Sequence, residues 1–253
     1  SIMDQVNWQI DKFILARMQG TSEISVYSVG ATLNKYYITF SSALSGVFVA
    51  QINRLQASEN ISKTNELFIQ SSRIFSYFIW LFMSAYMIFG HAFVVCWAGP
   101  EYDTSYTVGW LLMLPVTASL TMGLAQDIAR AMNKHQLQIV INFVICIING
   151  IVSVPLAMKW GAIGSALGTF VAEICMCIIV EPIYYKKILG LNIKTLVTEI
   201  CRISRGLLIP VGFGIIIISM NILRPDYATI VFWGSIYIIV YGGSRWCFAM
   251  NSY

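Results

Sequence analysis

The sequence predicts an all-α, polytopic membrane helix bundle with about eight transmembrane helices. Of its 253 residues, 57% are hydrophobic and 11% charged, and the mean hydropathy is +0.70. A soluble domain carries about 25% charged residues. The apolar residues also form long continuous runs between short polar gaps, a pattern that the alternating strands of a membrane barrel do not produce.

The first span is Ser1–Gly20. At helical spacing, Asp4, Asn7, Trp8, Asp11 and Lys12 fall on one side and Ile2, Val6, Ile10 and Phe13 on the other. Each ionised side chain at a bilayer centre costs roughly 2.5–3.5 kcal/mol on insertion scales. That polar side is therefore expected to face other helices or a wet cavity. The second span, about Val26 to Ile52, contains Asn34 and Lys35. The polar gap from Asn53 to Arg73 is expected to lie partly along the membrane surface. The third span runs from about Ile74 to Trp97, and the fourth, interrupted by Pro115, from about Tyr106 to Met132. The fifth covers about Leu137 to Met158. The sixth runs from Gly161 to about Tyr185 and opens with Gly161, Gly164 and Gly168, which permit close helix approach. Leu189–Arg205 has the periodicity of an amphipathic helix in the interface. Gly206–Leu223 and Tyr227 to about Met250 complete the count.

Loop charge supplies the orientation. Numbering the gaps alternately puts Lys159 and Arg224 on one side. The other side collects Arg54, Lys63, Arg73, Arg130, Lys134, Lys186, Lys187, Lys194, Arg202, Arg205 and Arg245. Basic loops mark the cytoplasmic side. A missed or spurious helix would scramble this partition.

No Walker A sequence, Gly-rich dinucleotide loop or His-Glu-x-x-His helix occurs. The chain is therefore not expected to be an enzyme or to hold a cofactor or metal. The basic residues lie in short gaps, so nucleic acid is not an expected partner, whereas membrane lipids are. The six cysteines fall mostly in apolar runs and read as inert, buried thiols. The costly polar groups inside the spans are the candidate substrate-binding and translocation residues: Asp4, Asn7, Asp11, Lys12, Arg17, Asn34, Lys35 and Glu173. A plainer reading pairs Asp11 or Asp4 with Lys35 to hold two helices together, and Asp127 with Arg130 as an interfacial anchor.

Several stretches resemble polysaccharide and O-antigen flippases of the multidrug/oligosaccharidyl-lipid/polysaccharide exporter superfamily. Asp11, Phe13-Ile14-Leu15, Gly20 and Val26-Tyr27-Ser28-Val29 resemble the opening of the second half of such proteins. Trp97-Ala98-Gly99-Pro100-Glu101-Tyr102 looks like their external turn, Ala131 to Lys134 like a cytoplasmic turn, and Gly161-Ala162-Ile163-Gly164-Ser165-Ala166 like the helix start that follows. The resemblance implies the second lobe of a MATE-like transporter fold plus two trailing helices. Residues 1–185 would be the six-helix lobe, 186–205 a cytoplasmic connector and 206–253 the trailing pair, with an N-terminal lobe outside this sequence. It implies translocation of undecaprenyl-diphosphate-linked oligosaccharide across a bacterial inner membrane, alongside a polysaccharide polymerase and other assembly proteins. Lys12, Arg17 and Lys35 would meet the diphosphate, while Asp4, Asn7 and Asp11 would bind sugar or couple to an ion gradient. The competing expectations are a cation-coupled drug or metabolite antiporter of the same superfamily and an inactive truncated remnant.

Overall fold

A computed structural model describes residues 9, 11–17, 20–57, 61–220 and 222–246, and no strand occurs among them. Helix α1 covers residues 11–17. It is followed by α2 (Thr21–Gly46), α3 (Val49–Ala57), α4 (Ile61–Ala98), α5 (Thr104–Thr121), α6 (Gly123–Ala131) and α7 (Gln136–Ile174). The remainder is α8 (Glu181–Ile188), α9 (Ile193–Ser204), α10 (Leu208–Ser219) and α11 (Tyr227–Arg245). Among the described residues, four helical stretches are long and apolar enough to cross a membrane, and five if α5 and α6, bent by 52°, form one broken span. The chain is thus an all-helical, multi-pass membrane protein.

Three boundaries differ from expectation. The second span breaks after Gly46, and α3 is a separate helix. The gap ahead of the third span is largely helical, because α4 begins at Ile61 and buries Thr64, Leu67, Phe68, Ser71 and Ser72 against its neighbours. Its 38 residues extend about 57 Å at 1.5 Å per residue, beyond a hydrocarbon core of about 30 Å. The third departure is α9. Its apolar residues Ile193, Leu196 and Ile203 are buried in the protein, and it continues through a 3₁₀ turn (Arg205–Leu207) into α10. Arg73 of α4 and Arg202 both pair with Glu199, at 3.7 and 2.8 Å.

Helix α7 is a hairpin. Trp160 (φ −128°, ψ 16°) and Gly161 (φ 56°, ψ −132°) leave helical geometry. Beyond them the chain runs back: Thr169 Oγ1 lies 3.3 Å from Asn149 Oδ1. In a straight helix those residues would be about 30 Å apart. The positive φ suits Gly161, and a Cβ there would strike Glu23, whose Oε2 accepts the Ala162 N–H at 2.7 Å. A Cβ on Gly164 would sit 1.9 Å from the Leu156 carbonyl oxygen, and one on Gly168 2.1 Å from Ser153 Oγ. The glycines of the sixth span therefore serve close approach to the fifth.

Hydrogen bonds connect segments that the loop alternation puts on the same side. At the end poor in loop cations, Ser105 Oγ donates to the Val26 carbonyl at 2.8 Å and Tyr227 OH to the Cys96 carbonyl at 3.3 Å. At the basic end, Lys134 Nζ donates to the Ile188 carbonyl and the Tyr184 hydroxyl to the Lys134 carbonyl. Arg245, though counted among the loop cations, is buried there. It donates to the Ile203 carbonyl and to the Tyr241 hydroxyl, tying α11 to the α9–α10 junction. Cys146 and Cys177 are buried, whereas Cys175 and Cys201 are exposed, against the expectation of uniformly buried thiols.

Candidate functional site

The site is assembled around the hairpin. Ser165, Thr169 and Glu173 recur every fourth residue on its second arm, so they share one face. Asp11 of α1, 1% exposed, meets that face. Its carboxylate accepts from Ser165 Oγ at 2.7 Å, Thr169 Oγ1 at 2.9 Å and the Tyr27 hydroxyl of α2 at 2.8 Å. Asn149 and Ser153 of the first arm complete the network, with Ser153 Oγ donating to Asn149 Oδ1 at 2.8 Å. A polar group removed from water must recover its lost hydrogen bonds through such partners. Asp11 does so with hydroxyls from two other helices.

From Asp11 a cavity of about 630 Å³ extends between α2, α5, α6 and the two arms of α7. Its far end is lined by Asp127, Arg130 and His135, near the Lys134 turn at the basic end of the bundle. Arg130 pairs with Asp127 at 3.1 Å, and Ser45 Oγ donates to the same carboxylate at 3.0 Å. Asp127 thus has the partner its spacing suggests, and it also lines the cavity.

The candidates from sequence separate into three groups. Asp11, Asn34 and Glu173 line the cavity. Asn34 is buried, and its Oδ1 has no hydrogen-bond partner in the protein. Lys12, Arg17 and Lys35 are not on the cavity wall; Arg17 and Lys35 are exposed and Lys12 is half-buried. The proposed pairing of Asp11 with Lys35 does not form, because the hydroxyl donors occupy Asp11 while Lys35 points outward from the next position after buried Asn34. Asp4 and Asn7 lie outside the described residues.

Sequence reasoning missed Glu181 as a site residue. It is 4% exposed and lines the cavity, with Ser119 Oγ and the Tyr185 hydroxyl donating to Oε1 at 3.0 and 3.4 Å. The backbone explains its placement. Pro182 has no N–H to give to a carbonyl one turn back, and the six residues before Glu181, Cys175–Val180, widen into a π-helical segment. Glu181 falls eight residues beyond Glu173, on the same every-fourth-residue series as Ser165 and Thr169, with this π-helical segment between them.

The arrangement presents an apolar bundle with a polar interior path. Carboxylates and hydroxyls line its depth, and a guanidinium and an imidazole lie at its basic end. Comparison with known proteins finds no match: no family model, no curated protein and no solved structure matches the chain.

Proposed function

We propose that this chain forms the second lobe of a lipid-linked oligosaccharide flippase. It would cross a bacterial inner membrane eight times with its basic end in the cytoplasm, and move an undecaprenyl-diphosphate-linked repeat unit to the opposite leaflet. The observation that carries this reading is the polar cavity running from Arg130 and His135 to buried Asp11 within an otherwise apolar bundle. Polar groups inside a membrane bundle are costly and mark pathways.

In this reading the headgroup enters at the basic end, where Arg130 offers a fork of N–H donors suited to phosphate oxygens. Lys12, Arg17 and Lys35, off the cavity wall, would face a first lobe across the translocation path. Alternating access would rock the lobes about the charged midplane, with no bond made or broken in the substrate. Asp11 would be the element that responds to an ion gradient.

A cation-coupled antiporter of the same superfamily is the second reading. The cluster of oxygens around Asp11, supplied by Tyr27, Ser165 and Thr169, favours it. Arg130→Ala and Asp11→Asn separate the two. The flippase reading expects both variants, at normal membrane levels, to reduce surface polysaccharide at least several-fold. Normal polymer from both would overturn it. Lost resistance to toxic compounds with intact polymer would establish the antiporter.

A further inference from the structure

Glu181 has a feature that the path described so far does not use. Its Oε1 is hydrogen-bonded by Ser119 and Tyr185, whereas Oε2 is buried and has no hydrogen-bond partner in the protein. Glu173 lies two helical turns nearer Asp11 and lines the same cavity. Carboxylates therefore follow one wall in the order Glu181, Glu173, Asp11, from the basic end to the middle of the bundle.

The occupant of Oε2 is restricted by burial. At 4% exposure the carboxyl has no open face for a sugar ring or a phosphate, so its ligand must be of atomic size. The neighbouring groups decide which. Glu173, Cys177 and Tyr185 belong to its own helical stretch, and α5 contributes the uncharged Ser119. Across the cavity lie Asp127 and Arg130, already paired with each other, and His135. The charged residues of α9, packed beside α8, are Lys194 and the ion-paired Glu199 and Arg202. Oε2 has no cationic partner, and two hydroxyls already occupied with Oε1 make a poor cage for a metal ion, which takes several oxygens. A proton satisfies the site, because a neutral carboxyl in apolar surroundings avoids the cost of an uncompensated charge.

We infer that Glu181 binds a proton on Oε2 and forms, with Glu173, a second proton-handling site in the cavity wall between the basic end and Asp11. The proton is taken from hydronium in water entering at that end. An O–H bond forms on Oε2, a water molecule is left behind, and the reverse step passes the proton to Glu173 or back to water. The π-helical turn ahead of Glu181 is a local irregularity of the kind frequent at functional sites.

Infrared difference spectra of the full chain in lipid vesicles, taken between acidic and alkaline pH, test this directly. The wild type is expected to show carboxylic-acid carbonyl bands from more than one residue. Glu181→Gln should lose one of them, and Asp11→Asn should keep that one. Ser119→Ala, which retains Glu181 but removes a donor to Oε1, should shift the same band without abolishing it. This variant reads the site even if Glu181→Gln fails to fold. A spectrum of Glu181→Gln superimposable on the wild type, or a Ser119→Ala spectrum with no shifted band, would overturn the inference. The inference rests on the cavity being a translocation path, but the two fail separately. A band lost in Glu181→Gln alongside normal polymer in Arg130→Ala and Asp11→Asn keeps the proton site and removes the flippase.

Discussion

Asp11 and Glu181 are both almost fully buried carboxylates on the wall of one cavity, yet their surroundings are unequal. Asp11 takes three hydroxyl donors shared over both oxygens, whereas Glu181 takes two on one oxygen and none on the other. Backbone geometry accounts for the difference. Asp11 sits where the arms of the α7 hairpin touch, at a separation that only glycine at positions 164 and 168 allows. Glu181 lies between a widened π turn and Pro182, where the wall is less closely packed with donors. Close helix approach thus decides how completely a carboxylate is satisfied inside an apolar bundle.

The largest effect should come from separating the hairpin arms. A Cβ on Gly168 would already lie 2.1 Å from Ser153 Oγ and 2.6 Å from Ser153 Cα. Gly168→Val therefore forces the arms apart and draws Thr169 away from Asp11. A loss of roughly 3 kcal/mol, the upper part of the range for overpacking, is expected as a lower midpoint of denaturation in detergent. An unchanged midpoint would break the account of how Asp11 is satisfied. Next in size is the contrast between the two carboxylates themselves. Asp11→Ala takes the acceptor from three hydroxyls, of which Thr169 keeps the Asn149 amide oxygen and the Ser165 carbonyl at 3.3 Å, and removes the bonds on both carboxylate oxygens. Glu181→Ala takes it from two, at roughly 1–3 kcal/mol for each buried group left unpaired. Asp11→Ala should be the more destabilising of the pair, and equal midpoints would erase the distinction.

Parts of this arrangement are legible in the sequence, for physical reasons. The glycines at 161, 164 and 168 announce close packing because few other needs place small residues at that spacing in a membrane helix. The alternation of basic and neutral gaps sorts the loops into the two groups that later share hydrogen bonds. Asp11 stands out because an acid in an apolar run is costly. Its donors do not stand out. Tyr27, Ser165 and Thr169 are ordinary in membrane helices, and only the hairpin brings them to one point. Lys35 misleads because periodicity sets Asn34 and Lys35 about 100° apart without saying which of them faces the core. Glu181 is hidden by its place at the end of the run, beside Pro182 and close to Lys186 and Lys187, where a carboxylate reads as interfacial although it continues the every-fourth-residue series from Ser165. The start of α4 is hidden by composition, since Lys63, Asn65 and Glu66 resemble a loop until Leu67 and Phe68 are seen buried.

The smallest expected effect sharpens the comparison most. Ser165→Ala and Ser119→Ala each remove one hydroxyl donor from a buried carboxyl, and the change in side-chain volume is the same. A hydrogen bond to a charged group contributes roughly 1.5–3 kcal/mol, and one between neutral groups roughly 0.5–1.5 kcal/mol. If Asp11 is ionised, held by its three donors, and Glu181 carries a proton, Ser165→Ala should cost more than Ser119→Ala, although Asp11 retains two donors after the loss and Glu181 only the 3.4 Å bond from Tyr185. Counting donors alone gives the opposite order, since the less satisfied group should suffer more from losing one. Denaturation midpoints of the two variants at neutral pH therefore distinguish charge from donor number. A larger loss in Ser119→Ala would mean that Glu181 is ionised at neutral pH, with Oε2 held as an uncompensated charge.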